Sequence, residues 1–120
     1  MTGCPMRRGE IRMVDLEPVR GAEADIQRPA VIVSNDGANN VAQLLGRGVV
    51  TVVPVTTNTE RVYPFQVLLP AASTGLALTS KAQAEQVRSV AVERVGRRVG
   101  RLTTDLQTDL DEALRLHLAL

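Results

Sequence analysis

Gly48-Val49-Val50-Thr51-Val52-Val53-Pro54-Val55, residues 48–55, decides the fold. Five valines and a threonine in eight positions are β-branched side chains. They restrict χ1 and pack well on a pleated surface. The run is too short for a globular helix and has the length of a buried strand. Thr56-Thr57-Asn58-Thr59 follows, and there the chain leaves the sheet.

On the N-terminal side, Pro29-Ala30-Val31-Ile32-Val33-Ser34 is a second apolar run of strand length. Asn35-Asp36-Gly37-Ala38-Asn39-Asn40 after it carries turn chemistry. Residues 9–17 alternate. Ile11, Met13 and Asp15 share one face and Arg12, Val14 and Leu16 the other, so both faces of this strand are partly buried. Pro18 ends it, and residues 18–27 read as a long loop with Gly21 near its middle.

On the C-terminal side, residues 65–69 form a strand that Pro70 stops, and residues 71–80 read as a loop. Residues 84–92 and 94–102 read as two more strands. The period then changes. Leu106, Leu110, Ala113, Leu114 and His117 recur at helical spacing, opposite Asp105, Asp111, Glu112 and Arg115. Thr104 and Gln107 match a capping box. The expected fold is mainly β with a C-terminal α-helix: short strands closed into a compact barrel against that helix.

The chain has 120 residues, one domain by size, read as residues 6–120 behind a short tail of residues 1–5. A domain of this size builds its own apolar core and requires no disulfide or metal to hold it. Its 44% hydrophobic and 22% charged residues are those of an ordinary folded domain. Cys4 is the sole cysteine, which excludes an internal disulfide and suits a reducing compartment. With no apolar leader or membrane-length run, the expectation is a cytoplasmic protein without a membrane partner. Aromatics are 2%, only Tyr63 and Phe65, against modules that stack several bases on an aromatic sheet. Net charge is +1, but Arg88, Arg94, Arg97, Arg98 and Arg101 cluster with Glu93 as the one acid among them. A solvated basic face explains that cluster as well as a phosphate-binding one does.

No metal or cofactor site is legible. Cys/His clusters and a glycine-rich phosphate loop are absent, and His117 sits within the apolar helical stripe. Asp109, Asp111 and Glu112 fit a solvated helix face. What remains is a set of polar residues at strand ends: Glu23 in the first loop, Gln27-Arg28-Pro29, Thr56-Thr57, and Gln86. Taken singly, each is equally well a loop or cap residue.

Taken together, they carry a resemblance. Residues 7–35, from Arg7-Arg8-Gly9-Glu10-Ile11 through Val14-Asp15-Leu16-Glu17-Pro18 to Gln27-Arg28-Pro29-Ala30-Val31-Ile32-Val33-Ser34, resemble the opening of the MazF/PemK toxin endoribonucleases. The likeness continues through Val53-Pro54-Val55-Thr56-Thr57, Tyr63-Pro64-Phe65 and Ala84-Glu85-Gln86-Val87-Arg88-Ser89. It implies an SH3-like β-barrel of the CcdB/PemK-like toxin fold, a homodimer with single-stranded RNA in a groove across it, and a cognate acidic antitoxin. It implies cleavage without metal to a 2′,3′-cyclic phosphate and a 5′-hydroxyl. Arg28 and Thr56 match the family's catalytic arginine and threonine, and Glu23 matches its first-loop acid. Gln86 matches a substrate-contacting glutamine, and Thr57 and Ser34 fall in the matching segments as further substrate contacts. Ala22 stands where the family usually has serine, and Arg12 and Met13 stand near a frequent aromatic.

The chemistry is coherent on the residues themselves. The 2′-hydroxyl of RNA is an internal nucleophile, so the enzyme must chiefly stabilise charge on the phosphoryl oxygens. A planar guanidinium suits that role, and because it stays protonated it makes a poor base. Glu23 is the best base by residue type. A CcdB-like toxin that inhibits gyrase without catalysis is the competing reading, and a non-catalytic binding barrel the third. The Arg28 and Thr56 pair favours the ribonuclease.

Overall fold

The computed structural model describes residues 5–16 and 27–120. Its organising element is the valine run. Strands β1 (Glu10–Asp15), β2 (Gln27–Ile32) and β3 (Val49–Thr56) are followed by β4 (Gln66–Leu69), β5 (Ser80–Gln83), β6 (Arg88–Ala91) and β7 (Val95–Arg101). Strand β3 pairs with β2 on one edge and with both β5 and β6 on the other. The whole is one seven-stranded sheet, antiparallel at every pairing, in the order β4-β5-β3-β2-β1-β7 with β6 beside β3.

Both faces of the central strands are covered, as the valine run requires. Val53 and Val55 point into one core with Ile11, Leu69 and Leu110, under helix α3 (Thr104–Leu118). Val50 and Val52 point the other way, into a second core with Val14, Ile32 and Ala42 of helix α1 (Asp36–Leu45). Leu110 is fully buried. Truncating it to alanine would cost about 2–5 kcal/mol.

The expected closed barrel is corrected to an open sheet: among the described residues β4 and β7 form no ladder. Pro70 stops β4 after four residues, and the chain turns into the single-turn helix α2 (Ala71–Thr74). That turn lies on β7 so closely that a Cβ at Gly100 would collide with the Thr74 carbonyl. Gly75 closes it with φ +86°, a conformation that favours glycine. The predicted 71–80 loop therefore contains a plug between the two end strands.

Three further expectations change. The turn residues 35–40 begin helix α1. The Asn35 side chain accepts from the Ala38 amide at 2.8 Å, and Gly46 closes the helix in the left-handed region. The predicted 84–92 strand is split. From Val55 to Val52 on β3 is three residues, while their partners Ala82 and Arg88 are six apart, and the surplus is a 3₁₀ turn at Ala84–Gln86. At α3 the cap is Thr103, accepting from the Leu106 amide at 3.2 Å, rather than Thr104. Gln107 bonds Asp111 instead, at 3.0 Å. His117 is exposed, beside Leu116, Leu118 and Leu120, which are 58%, 48% and 84% exposed. The last turn of α3 and the residues after it lie outside both cores.

Candidate active site

Arg28 is the second residue of β2, opposite Val14 of β1. Pro29 restricts it to extended backbone, so its side chain leaves the sheet in a fixed direction. It is exposed and makes no hydrogen bond or ion pair with the described residues. Thr56 is the last residue of β3. The β2–β3 ladder pairs Ala30 with Pro54. Two residues further on each strand are Arg28 and Thr56, so both sit at the same end of adjacent strands. The period of two puts them on one face.

The Thr56 hydroxyl oxygen accepts from the Asn58 amide at 3.3 Å. A hydroxyl that accepts there keeps its proton for donation to an oxyanion. Thr57 follows, exposed. On the other edge of β3, Thr56 pairs with Lys81 of β5. Residues directly opposite share a face, so Arg28, Thr56 and Lys81 form a row across three strands. Lys81 is 7% exposed. Its Nζ donates to the Arg61 carbonyl at 2.6 Å and lies 6.0 Å from the Tyr63 ring centre. It thereby ties the segment after β3 onto the end of the sheet.

The other predicted site residues are placed differently. Gln86 ends the 3₁₀ turn on the β5–β6 edge of β3 and is exposed. Its neighbour Glu85 accepts from Gln66 Nε2 at 2.6 Å, and the other Glu85 carboxylate oxygen is buried without a partner. Ser34 lies beyond the far end of β2, six residues from Arg28, about 20 Å along extended chain. Its hydroxyl donates to Asn39 Oδ1 and accepts from the Thr51 amide at 3.1 Å. The structure does not bring Ser34 to Arg28 and Thr56. Glu23 lies outside the described residues.

No group of three or more His, Cys, Asp or Glu side chains suited to a metal occurs among the described residues. No helix there is long and apolar enough to cross a membrane. At this end of β2 and β3 a guanidinium with no partner among the described residues and a hydroxyl donor share one face, an arrangement able to bind and polarise a phosphodiester.

The family of PemK-like, MazF-like toxins of type II toxin–antitoxin systems matches residues 7–118, nearly the whole chain. The chain belongs to that family. Endoribonuclease MazF9 of Mycobacterium tuberculosis is 64% identical over 115 residues, covering 96% of this chain and 98% of that protein. Endoribonuclease EndoA of Bacillus subtilis is 28% identical over 116 residues, 96% of each. The MazF fold recurs in a MazE–MazF structure from Deinococcus radiodurans, with TM-score 0.78 at 24% identity over 98% of this chain and 99% of that one. A mycobacterial endoribonuclease solved with its cognate antitoxin has TM-score 0.71 at 25% identity over 96% of both chains.

Within this MazF-family chain, sequence reasoning missed Lys81 and underused Tyr63. The signal for Lys81 was present. It is the single lysine among fourteen basic residues. It also lies in β5, Ser80–Gln83, a strand that falls between the expected 71–80 loop and the expected 84–92 strand.

Proposed function

We propose that this MazF-family chain is a toxin endoribonuclease that cuts single-stranded RNA in the cytoplasm without a metal ion. The observation that carries the reading is the adjacency of Arg28 and Thr56 at one open strand end. The 2′-oxygen attacks the neighbouring phosphorus as its proton passes to a base, the phosphorus–5′-oxygen bond breaks, and the departing 5′-oxygen takes a proton from solvent, with Arg28 as the secondary donor. The products are a 2′,3′-cyclic phosphate and a 5′-hydroxyl. Arg28 neutralises the charge that gathers on the non-bridging oxygens. Thr56 donates a hydrogen bond to one of them. Glu23 is assigned the 2′-hydroxyl proton by residue type. Gln86, Thr57 and Ser34 are assigned to substrate contacts, Ser34 as the most distant of them.

Two partners belong to the same proposal. The exposed leucines at the C-terminal end of the chain, Leu116, Leu118 and Leu120, support a homodimer. The solved toxin–antitoxin complexes of related structures support a cognate acidic antitoxin that silences the chain. The SH3-like description of the fold goes with this reading, since the α2 plug does the work of the missing ladder.

The test is cleavage of a single-stranded RNA oligonucleotide in excess EDTA. The expected result is cut product bearing a cyclic phosphate, and none from an oligonucleotide with a 2′-deoxy sugar at the scissile position. Cleavage that requires added magnesium, or that proceeds on the deoxy substrate, overturns the mechanism.

A further inference from the structure

The strand-end row continues past Thr56 into an aromatic pair that the proposed chemistry does not use. Tyr63 and Phe65 stack with ring centres 5.4 Å apart and planes within 1° of parallel. Tyr63 remains 43% exposed. Two rings two residues apart with a proline between them form a rigid unit, and the unit is anchored from both sides. Lys81 holds the Arg61 carbonyl, and Gln66 Oε1 accepts from the Tyr63 amide at 3.1 Å. The Arg61 side chain itself is exposed and without a partner among the described residues. An exposed ring, stiffened by a second ring and flanked by a free guanidinium, is the arrangement that takes a single nucleobase.

We infer that Tyr63 is a base-stacking residue for the nucleotide next to the scissile phosphate, with Arg61 beside it for the adjoining phosphate. The inference rests on the ribonuclease reading above. It adds a specificity element in the segment between β3 and β4, held by Lys81 as its positioning residue. A single ring pair suffices for one base, which is compatible with a chain so poor in aromatics.

Tyr63 is the only tyrosine and there is no tryptophan, so intrinsic fluorescence reports this one ring. The experiment titrates the full chain, as the Arg28→Ala variant expected to cut slowly, with a single-stranded RNA oligonucleotide carrying the scissile sequence, and product is assayed at the end of each titration. Tyrosine emission and the anisotropy of a labelled strand are followed together. The expected result is quenching that saturates with binding, and that is lost when the flanking nucleotide is abasic. In parallel, Tyr63→Phe should keep kcat/KM within about threefold of wild type. Tyr63→Ala should lose about 10-fold or more, in the range of one stacked base. That loss should vanish on the abasic substrate. Binding without any change in emission overturns the inference, as does a Tyr63→Ala loss equally large on intact and abasic RNA. If the wild-type chain binds RNA but cuts none, the reading of the preceding subsection fails while the quench still decides this one.

Discussion

The two ends of β2 and β3 use the same kinds of residue to opposite purpose. At the α1 end, polar groups are bound to one another. Ser34 donates to Asn39, Asn39 Nδ2 donates back to the Ser34 carbonyl at 2.9 Å, and the Thr51 amide completes the set. Asn39 is fully buried. At the start of β1, the buried Glu10 carboxylate holds Arg12 at 3.0 Å and Arg98 at 3.3 Å. At the other end, Arg28 points outward with no described partner, and Thr56 keeps its proton available. The difference teaches that a hydroxyl, an amide or a guanidinium is a structural part where its hydrogen bonds are closed internally, and a functional one where they are left open.

Breaking the open end should alter turnover and leave stability intact. Arg28→Lys keeps the charge and loses the two-pronged planar geometry. Turnover should fall on the order of 10²-fold or more, with an unchanged melting temperature and RNA affinity much less affected. Near-normal kcat in Arg28→Lys would mean that charge alone suffices there. Breaking the closed end should do the reverse. Asn39→Ala leaves the Ser34 hydroxyl and carbonyl without their partner, at a cost of about 1–3 kcal/mol by denaturant titration. The rate constant of the folded fraction should not change. A loss of rate constant without loss of stability would place Asn39 in the site.

Thr56→Val sharpens the comparison within the open end. It removes a single hydrogen bond at constant shape and should lower turnover about 10-fold, with Thr56→Ser recovering part of it. If Thr56→Ser is no better than Thr56→Val, the hydroxyl is not the operative group.

The smallest effect is expected at the Arg8–Asp111 contact, 2.7 Å long, which joins the N-terminal segment to α3. Burial by itself would raise the Asp111 pKa. Hydrogen bonds from Arg8 and Gln107 and the charges of Arg8 and Arg115 outweigh it, and the net pKa is lowered. A carboxyl whose folded pKa is lowered contributes stability that is complete above its unfolded pKa, about 3.9. That stability is lost as pH falls through the lower folded value. Asp111→Asn should therefore cost below about 1 kcal/mol at pH 7 and flatten the acid limb of the stability curve below about pH 4. An unchanged acid limb would show that the contact contributes nothing.

Much of this was legible from residue pattern alone, for reasons that also explain the failures. The valine run and the 29–34 run announce strands because β-branched packing and burial agree there. The α3 stripe announces a helix because Leu110 and Ala113 are core residues at helical spacing. Helix α1 was hidden because its apolar residues are on the wrong side: Val41, Leu44 and Leu45 are exposed, while Asn39 is buried. The split of 84–92 was hidden because a strand that changes its pairing partner along β3 does not change its composition. Barrel closure was misjudged because Pro70 and Gly100 record a local plug, which no periodicity reports. For the site, Arg28 and Thr56 stood out by type and by resemblance. Their adjacency is a product of the β2–β3 register, the nearness of Lys81 is a product of the β3–β5 register, and the distance of Ser34 follows from its place beyond the other end of β2.

The central claim is that the open end of β2 and β3 is where the chemistry happens. Single-turnover cleavage of a saturating RNA oligonucleotide in excess EDTA, by wild type and Arg28→Ala at matched melting temperature, tests it most directly. The account predicts that Arg28→Ala binds the RNA and cuts it at least about 10²-fold more slowly. Cleavage by Arg28→Ala within a few-fold of the wild-type rate would contradict it, and would move the catalytic cation to another arginine.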